Sequence, residues 1–444
     1  MQMTKPSAFG SIVAMLRTLL LLATTSLVLT ACPDPEVPAE GEGEGGGEGE
    51  GEGEGEGEAA GDDLDGVDDD SALDADIVPC DDVDKWPYSI VTAAHPFRIH
   101  FRARADEDVA RTLGGYLDDA WTVQVDTLGM PAPYTDEFDA RRFFCGQDGR
   151  IDVFMIRGFE GAYVDVIASI ESTPIDDYAT FMVIDPFGLY GGDYLRPTAF
   201  HEFHHMTQAA LDWSDTTNVY EMSACFVEDQ IADNHDWEFT LVDLVDHPDW
   251  AIDHDDGYET NFMYAHALHL LFLQQHVFDG DIDFFVQMWR GLVGDEVNYQ
   301  ESLDVLLATK GTRFVETVAP YARWLAYAGA GYDDGHHFVR GAEYPAMIRQ
   351  PVTTGTVTVS PEVLGSAFLE TARAVDVAIT NTLPEGRVAV VQQVGGTDGD
   401  GEVLTLPARV PAGVTLIVTV VSSDGDDITA RAGEVVDVVL RFTE

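Results

Sequence analysis

Five residues near the middle of the chain, His201-Glu202-Phe203-His204-His205, spell H-E-x-x-H. On a helix, positions i and i+4 share one face a turn apart, so the imidazoles of His201 and His205 stand side by side and can grip one metal ion. Glu202 projects beside them, where a carboxylate can take a proton from an attacking water. His204 is also close to His201, but the i+4 spacing and the place of Glu202 favour His205 as the second ligand. A helix is the natural host: Pro197 suits a first helical turn, and Ala199, Phe200, Phe203, Met206, Ala209 and Ala210 supply apolar bulk at helical spacing. The competing interpretation is a set of satisfied polar residues on a partly buried helix.

A catalytic zinc commonly has three protein ligands and one open position. After His205 and a short connection comes Glu221-Met222-Ser223-Ala224-Cys225-Phe226-Val227-Glu228. This stretch resembles the glutamate helix of the gluzincin metallopeptidases, above all their aminopeptidase branch. The likeness lies in the acid, the small residue three on, the aromatic five on and the second acid seven on. The connection from Leu211 to Tyr220 is a little shorter than in that branch. The resemblance implies Zn2+ held by His201, His205 and Glu221, with Glu202 as general base. Two alternatives stay open: Glu221 as an ordinary surface acid, and Glu228 as the third ligand. Cys225 reads as a small buried hydrophobe rather than a ligand. Gluzincins also use a Tyr or His that donates a hydrogen bond to the developing oxyanion. Tyr258, Tyr264 and His266 are candidates for that role, with Tyr264 preferred and core packing as the alternative.

The elements that must position these residues are mixed. Phe97 to Arg102 alternates apolar and polar residues like a half-buried strand, and Asp106 to Leu128 has helical spacing. Ile151 to Ile156 and Ala179 to Ile184 are further strands, and Gly188 to Gly192 forms a turn into the H-E-x-x-H helix. Helices are expected over Phe262 to His276, Leu303 to Ala308 and Arg313 to Ala328, the last with a kink at Pro320. This order resembles the upper half of zincin peptidases, which implies that Ala179 to Ile184 lies at the cleft edge and pairs with extended substrate. From Phe97 to about Arg290 the chain is also similar to a group of secreted bacterial metallopeptidases. That similarity rests on H-E-x-x-H-x-x-Q ending at Gln208, the Glu221 helix, and Tyr264 to Phe272 followed by Gln287-Met288-Trp289. Beyond Pro351 short β-like runs alternate with turn signals, as in a β-sandwich. The fold class expected is α+β, a zincin-like metallopeptidase domain over 85–350 followed by an all-β sandwich over 351–444.

The two ends of the chain concern address rather than chemistry. Residues 1–31 pair a basic start (Lys5, Arg17) with an apolar run to Leu29, the pattern of a secretory signal. Leu29-Thr30-Ala31-Cys32 resembles the lipobox of bacterial lipoproteins, which implies lipidation of Cys32 and anchoring of the chain to a membrane of the bacterial cell envelope, outside the cytoplasm. Residues 32–84 lack Lys and Arg and are rich in Gly, Glu and Asp, as expected of an extended, disordered tether. A calcium site among its aspartates lacks the terminal Glu of an EF-hand. Of the four cysteines, Cys80 and Cys145 lie beside the loop formers Pro79 and Gly146 and are the pair expected to be oxidised in an exported protein.

The formal charge of −57 excludes a basic face for nucleic acid and argues for a soluble surface suited to basic substrates. The function expected is therefore a membrane-tethered, extracytoplasmic zinc metallopeptidase acting on a protein or peptide. The rivals are a binding protein or adhesin that has lost turnover, and a zinc hydrolase of a non-peptide substrate.

Overall fold

The computed structural model describes residues 86–138, 148–158, 161–187, 191–232, 241–255, 260–292, 297–395, 401–423 and 433–444. The signal segment, the tether, Cys32, Cys80, Cys145 and Tyr258 lie outside the described residues. The architecture is α+β. Five strands form the first sheet: β1 (Tyr88–Val91), β2 (Phe97–Phe101), β3 (Ile151–Met155), β4 (Ala162–Ser169) and β5 (Tyr178–Ile184). Their order is β1-β2-β3-β5-β4, with β2, β3 and β5 parallel and the two outer strands antiparallel to their neighbours.

The inner strands are buried along most of their length because both faces of the sheet are covered. One face, with Ile99, Val153 and Met182, packs on α1 (Glu107–Trp121) and α2 (Gly191–Ala209) through Leu113, Leu117, Phe200 and Phe203. The other face, with Phe154, Phe181 and Val183, packs on Trp86, Ile167 and Ile170. The sequence expectation for the substrate-pairing strand is overturned here. Residues Ala179 to Ile184 belong to β5, which is hydrogen-bonded to β3 on one side and β4 on the other, so its backbone has no open edge. The outer strand is β4. Its mixed composition, half-buried along most of its length, hid it from periodicity.

The second half is helical: α3 (Thr217–Val227), α4 (Val242–Asp246), α5 (Phe262–Ala265), α6 (Ala267–Phe272), α7 (Asp283–Gly291), α8 (Tyr299–Thr309) and α9 (Phe314–Ala326). The expected helix from Phe262 to His276 is broken at His266, whose backbone leaves the helical region between α5 and α6. Pro320 lies inside α9. Among the described residues, no helix is long and apolar enough to cross a membrane.

The tail holds two sheets. One has the order β11 (Glu402–Val403), β10 (Arg387–Val394), β13 (Thr415–Ser422), β8 (Ser366–Thr371), β6 (Gln350–Val352). The other runs β12 (Ala408–Val410), β9 (Val375–Ile379), β14 (Val438–Thr443), β7 (Gly355–Val359). All pairs are antiparallel except β6–β8. Strand β13 is buried along its whole length, and α9 packs against it, joining the tail to the helices.

Candidate metal centre

Helix α2 divides its side chains between two tasks. Ala199, Phe200, Phe203 and Met206 enter the core beneath the sheet. Turned by the helical repeat, His201, Glu202 and His205 are buried where α2 meets α3. From α3, Glu221 reaches across: its Oε2 lies 3.0 Å from His201 Nε2 and 3.5 Å from His205 Nε2. Ala224, fully buried, leaves room for the helices to come this close.

The tautomers follow from the outer partners. His201 Nδ1 is hydrogen-bonded to the Glu228 carboxylate, which accepts, so Nδ1 donates outward and Nε2 is the nitrogen that faces Glu221. Glu228 thus lies on the far side of the imidazole from Glu221, and this arrangement does not favour it as the alternative third ligand. His205 Nδ1 donates to Gln208 Oε1 at 2.7 Å. Gln208 is fixed in that orientation because its Nε2 donates to Tyr220 O at 3.1 Å and Ser223 Oγ at 2.8 Å. Gln208 therefore orients His205 and also stitches α2 to α3. Fixing the outer ring nitrogen in this way is what sets ligand histidines for a metal.

His204 does something else. Its Nδ1 donates to Gln124 Oε1 at 2.9 Å, and its ring stacks on Phe285 at 5.3 Å. Gln124, fully buried, donates in turn to Phe200 O at 2.9 Å. The sequence offered no signal for Gln124, which sits far from the motif on a widened turn following α1. Burial pushes the His204 imidazole well below its ordinary range, so it stays neutral as a packing residue.

Burial also acts on the other groups, and the neighbouring charges decide the outcome. Burial alone would lower His201, but Glu228, Cys225 and Glu221 carry it well above the ordinary histidine range. Burial would likewise lower His205, and Glu221 reverses this. Burial would raise Glu221, yet the two histidines hold it far below the usual carboxylate range, so it is anionic. Glu202 is pushed up to about 7, first by burial and then by Glu221 and Glu228, against the opposing pull of the histidines. Its Oε2 is buried without a hydrogen-bond partner among the described residues. Leaving such an atom unpaired costs about 1–3 kcal/mol, which is a reason to ask what it serves.

The donor set fits a metal ion. The ligating atoms of His201, His205 and Glu221 all lie within 4.8 Å of one another. A tetrahedral ion with bonds of about 2 Å separates its ligand atoms by about 3.3 Å, and the distances of 3.0 and 3.5 Å bracket that value. A second set, His201 with Cys225 and Glu228, also has its ligating atoms within 4.8 Å of one another. It is the poorer site, because burial pushes the Cys225 thiol up to about 12 and away from the thiolate a metal requires. It would also leave His205 unused. Cys225 is a buried free thiol, as its sequence context suggested.

Tyr264, on α5, lies beside the centre, its ring centroid 6.3 Å from that of His201. Burial, and after it the Glu221 charge, raise its phenol above the ordinary value, so it remains a proton donor at neutral pH. His266 does not join the site. It is buried just past the end of α5, with Nδ1 3.3 Å from the Tyr321 hydroxyl. In comparisons with known proteins, the chain matches no family model and no curated sequence.

Proposed function

We propose that this chain is a zinc metallopeptidase of the zincin kind, holding Zn2+ through His201, His205 and Glu221. The observation that carries the reading is the buried convergence of two Nε2 atoms and one carboxylate beside an unpartnered carboxylate oxygen of Glu202. When bound, zinc supplies Lewis acidity towards a scissile carbonyl and acidifies water towards neutrality. Glu202 Oε2 takes the proton of the attacking water and passes it to the leaving amine nitrogen. Its value near 7 suits both steps. Glu228 and Gln208 hold the ligand rings in place while the proton moves. The Tyr264 hydroxyl, kept protonated by burial, donates a hydrogen bond to the oxyanion.

The lipobox-like Cys32 and the acidic tether support an enzyme fixed to an envelope membrane and acting outside the cytoplasm on proteins or peptides. Digestion of a peptide library by the full chain and by Glu202→Gln tests the reaction. Cleavage by the natural chain, reduced about 10²–10⁴-fold in the variant with metal retained, supports it. A library left intact by both would count against a peptidase and favour a binding protein or another hydrolase.

A further inference from the structure

One turn of the tail reaches the elements that surround the candidate metal centre. The turn at 361–365 is fastened to both tail sheets. Leu364 N donates to Val420 O of β13 at 2.8 Å, and Glu362 bridges to Val435, just ahead of β14. Leu364 adopts a positive φ of 76°, a backbone state that β- and γ-branched residues rarely hold unless their surroundings impose it. From this anchored turn, four polar contacts run to the loop that follows α4. Glu362 N donates to Asp249 O and Ser366 N to Pro248 O, both at 2.8 Å. The buried Glu362 carboxylate accepts from Ala251 N at 2.8 Å and meets His254 Nδ1 at 3.0 Å. A Cβ on Gly365 would collide with the Asp249 carbonyl, so the two backbones are as close as they can be.

The loop passes this placement on. Trp250 is stacked between His247 at 4.1 Å and His254 at 4.2 Å and stands edge-on to Phe262 at 5.0 Å. Phe262 is fully buried and opens α5, the helix that packs on α3 and carries Tyr264 to the side of His201.

We propose that Glu362 is a positioning residue for Tyr264: the tail, through Glu362, His254, Trp250 and Phe262, fixes the segment that presents the oxyanion donor. The tail is then part of the catalytic unit rather than an appendage. The inference rests on the peptidase reading for its kinetic consequence, but not for its structural one.

Two measurements on the full chain separate the two. The first is hydrogen exchange of the 260–266 segment in Glu362→Ala and in Glu362→Gln, which keeps an acceptor for Ala251 N. Exchange about tenfold faster in the Ala variant, smaller in the Gln variant and unchanged over 200–228 is expected. Equal protection in all three proteins overturns the coupling whether or not the chain is a peptidase. The second is kcat in a double-mutant cycle with Tyr264→Phe. Glu362→Ala should lower kcat about tenfold in the natural background and leave it unchanged in the Tyr264→Phe background, with metal content constant. Losses that multiply in the double variant overturn the positioning role. A Tyr264→Phe variant with full activity overturns the role of Tyr264 itself, and with it this use of Glu362.

Discussion

Two histidines outside the candidate metal centre make the fold acid-labile by a predictable amount. His266 and His269 are buried, and among the described residues the Nε2 atom of each lacks a hydrogen-bond partner. Their Nδ1 atoms meet the hydroxyls of Tyr321 at 3.3 Å and Tyr299 at 3.1 Å. Burial pushes each imidazole down to about 3. In the unfolded chain each takes a proton near its ordinary value of about 6.5. The unfolded state therefore binds more protons between pH 6.5 and about 3, and folding stability falls with pH across that window. Each histidine contributes a loss of about 1.4 kcal/mol per pH unit once the pH is well below 6.5. Going from pH 8 to pH 5, one such histidine costs about 2 kcal/mol and the pair about 4, a large part of the 5–15 kcal/mol that holds a domain together.

The perturbation is His269→Gln, which removes the titrating ring and keeps a polar group towards Tyr299. Urea unfolding of the metal-stripped natural chain and variant, from pH 8 to pH 5, reads the effect. Whatever the variant costs at pH 8, the gap should shift in its favour by about 2 kcal/mol at pH 5. Asp253, which burial pushes up to about 6, works in the opposite direction but equally in both proteins. Stability curves that stay parallel across the whole range would refute the reasoning, because His269 would then titrate alike in the folded and unfolded states.

The remaining predictions concern the supports of the site. Glu228→Ala and Gln208→Ala should each weaken zinc binding about 10–100-fold, since they release the outer nitrogens of His201 and His205; competition with a chelator measures it. Gly365→Ala should lower the melting temperature by several degrees, because the added methyl meets the Asp249 backbone and not a side chain that could move aside.

The grouping of side chains that could hold a metal was legible wherever it depended on local geometry. His201, Glu202 and His205 share one helix, and Glu221 lies in the second turn of the next, so i+4 spacing and a short connection bring them together. What stayed hidden depended on contacts distant in sequence. Glu221 on α3 and Glu228 just past its end are acids two turns apart, and only the approach of α2 shows which faces Nε2 and which faces Nδ1. Gln124 carried no signal because its partners lie 76 and 80 residues away. Strand β4 escaped because an outer strand buries too little to show alternation, and its absence from the sequence reading made β5 look like the edge. In the tail, two of the β-like runs expected beyond Pro351 meet strands: 387–391 lies within β10, and 414–421 overlaps β13. Strand β8, buried between β13 and β6 with a polar residue at each end, was missed.

The most direct test of the account is the zinc content of the purified full chain beside that of Glu221→Ala. One zinc per natural chain, lost or weakened at least a hundredfold in the variant, is the result expected if His201, His205 and Glu221 form one site. A natural chain without zinc after incubation with the metal, or a variant that holds zinc as tightly as the natural chain, would contradict it.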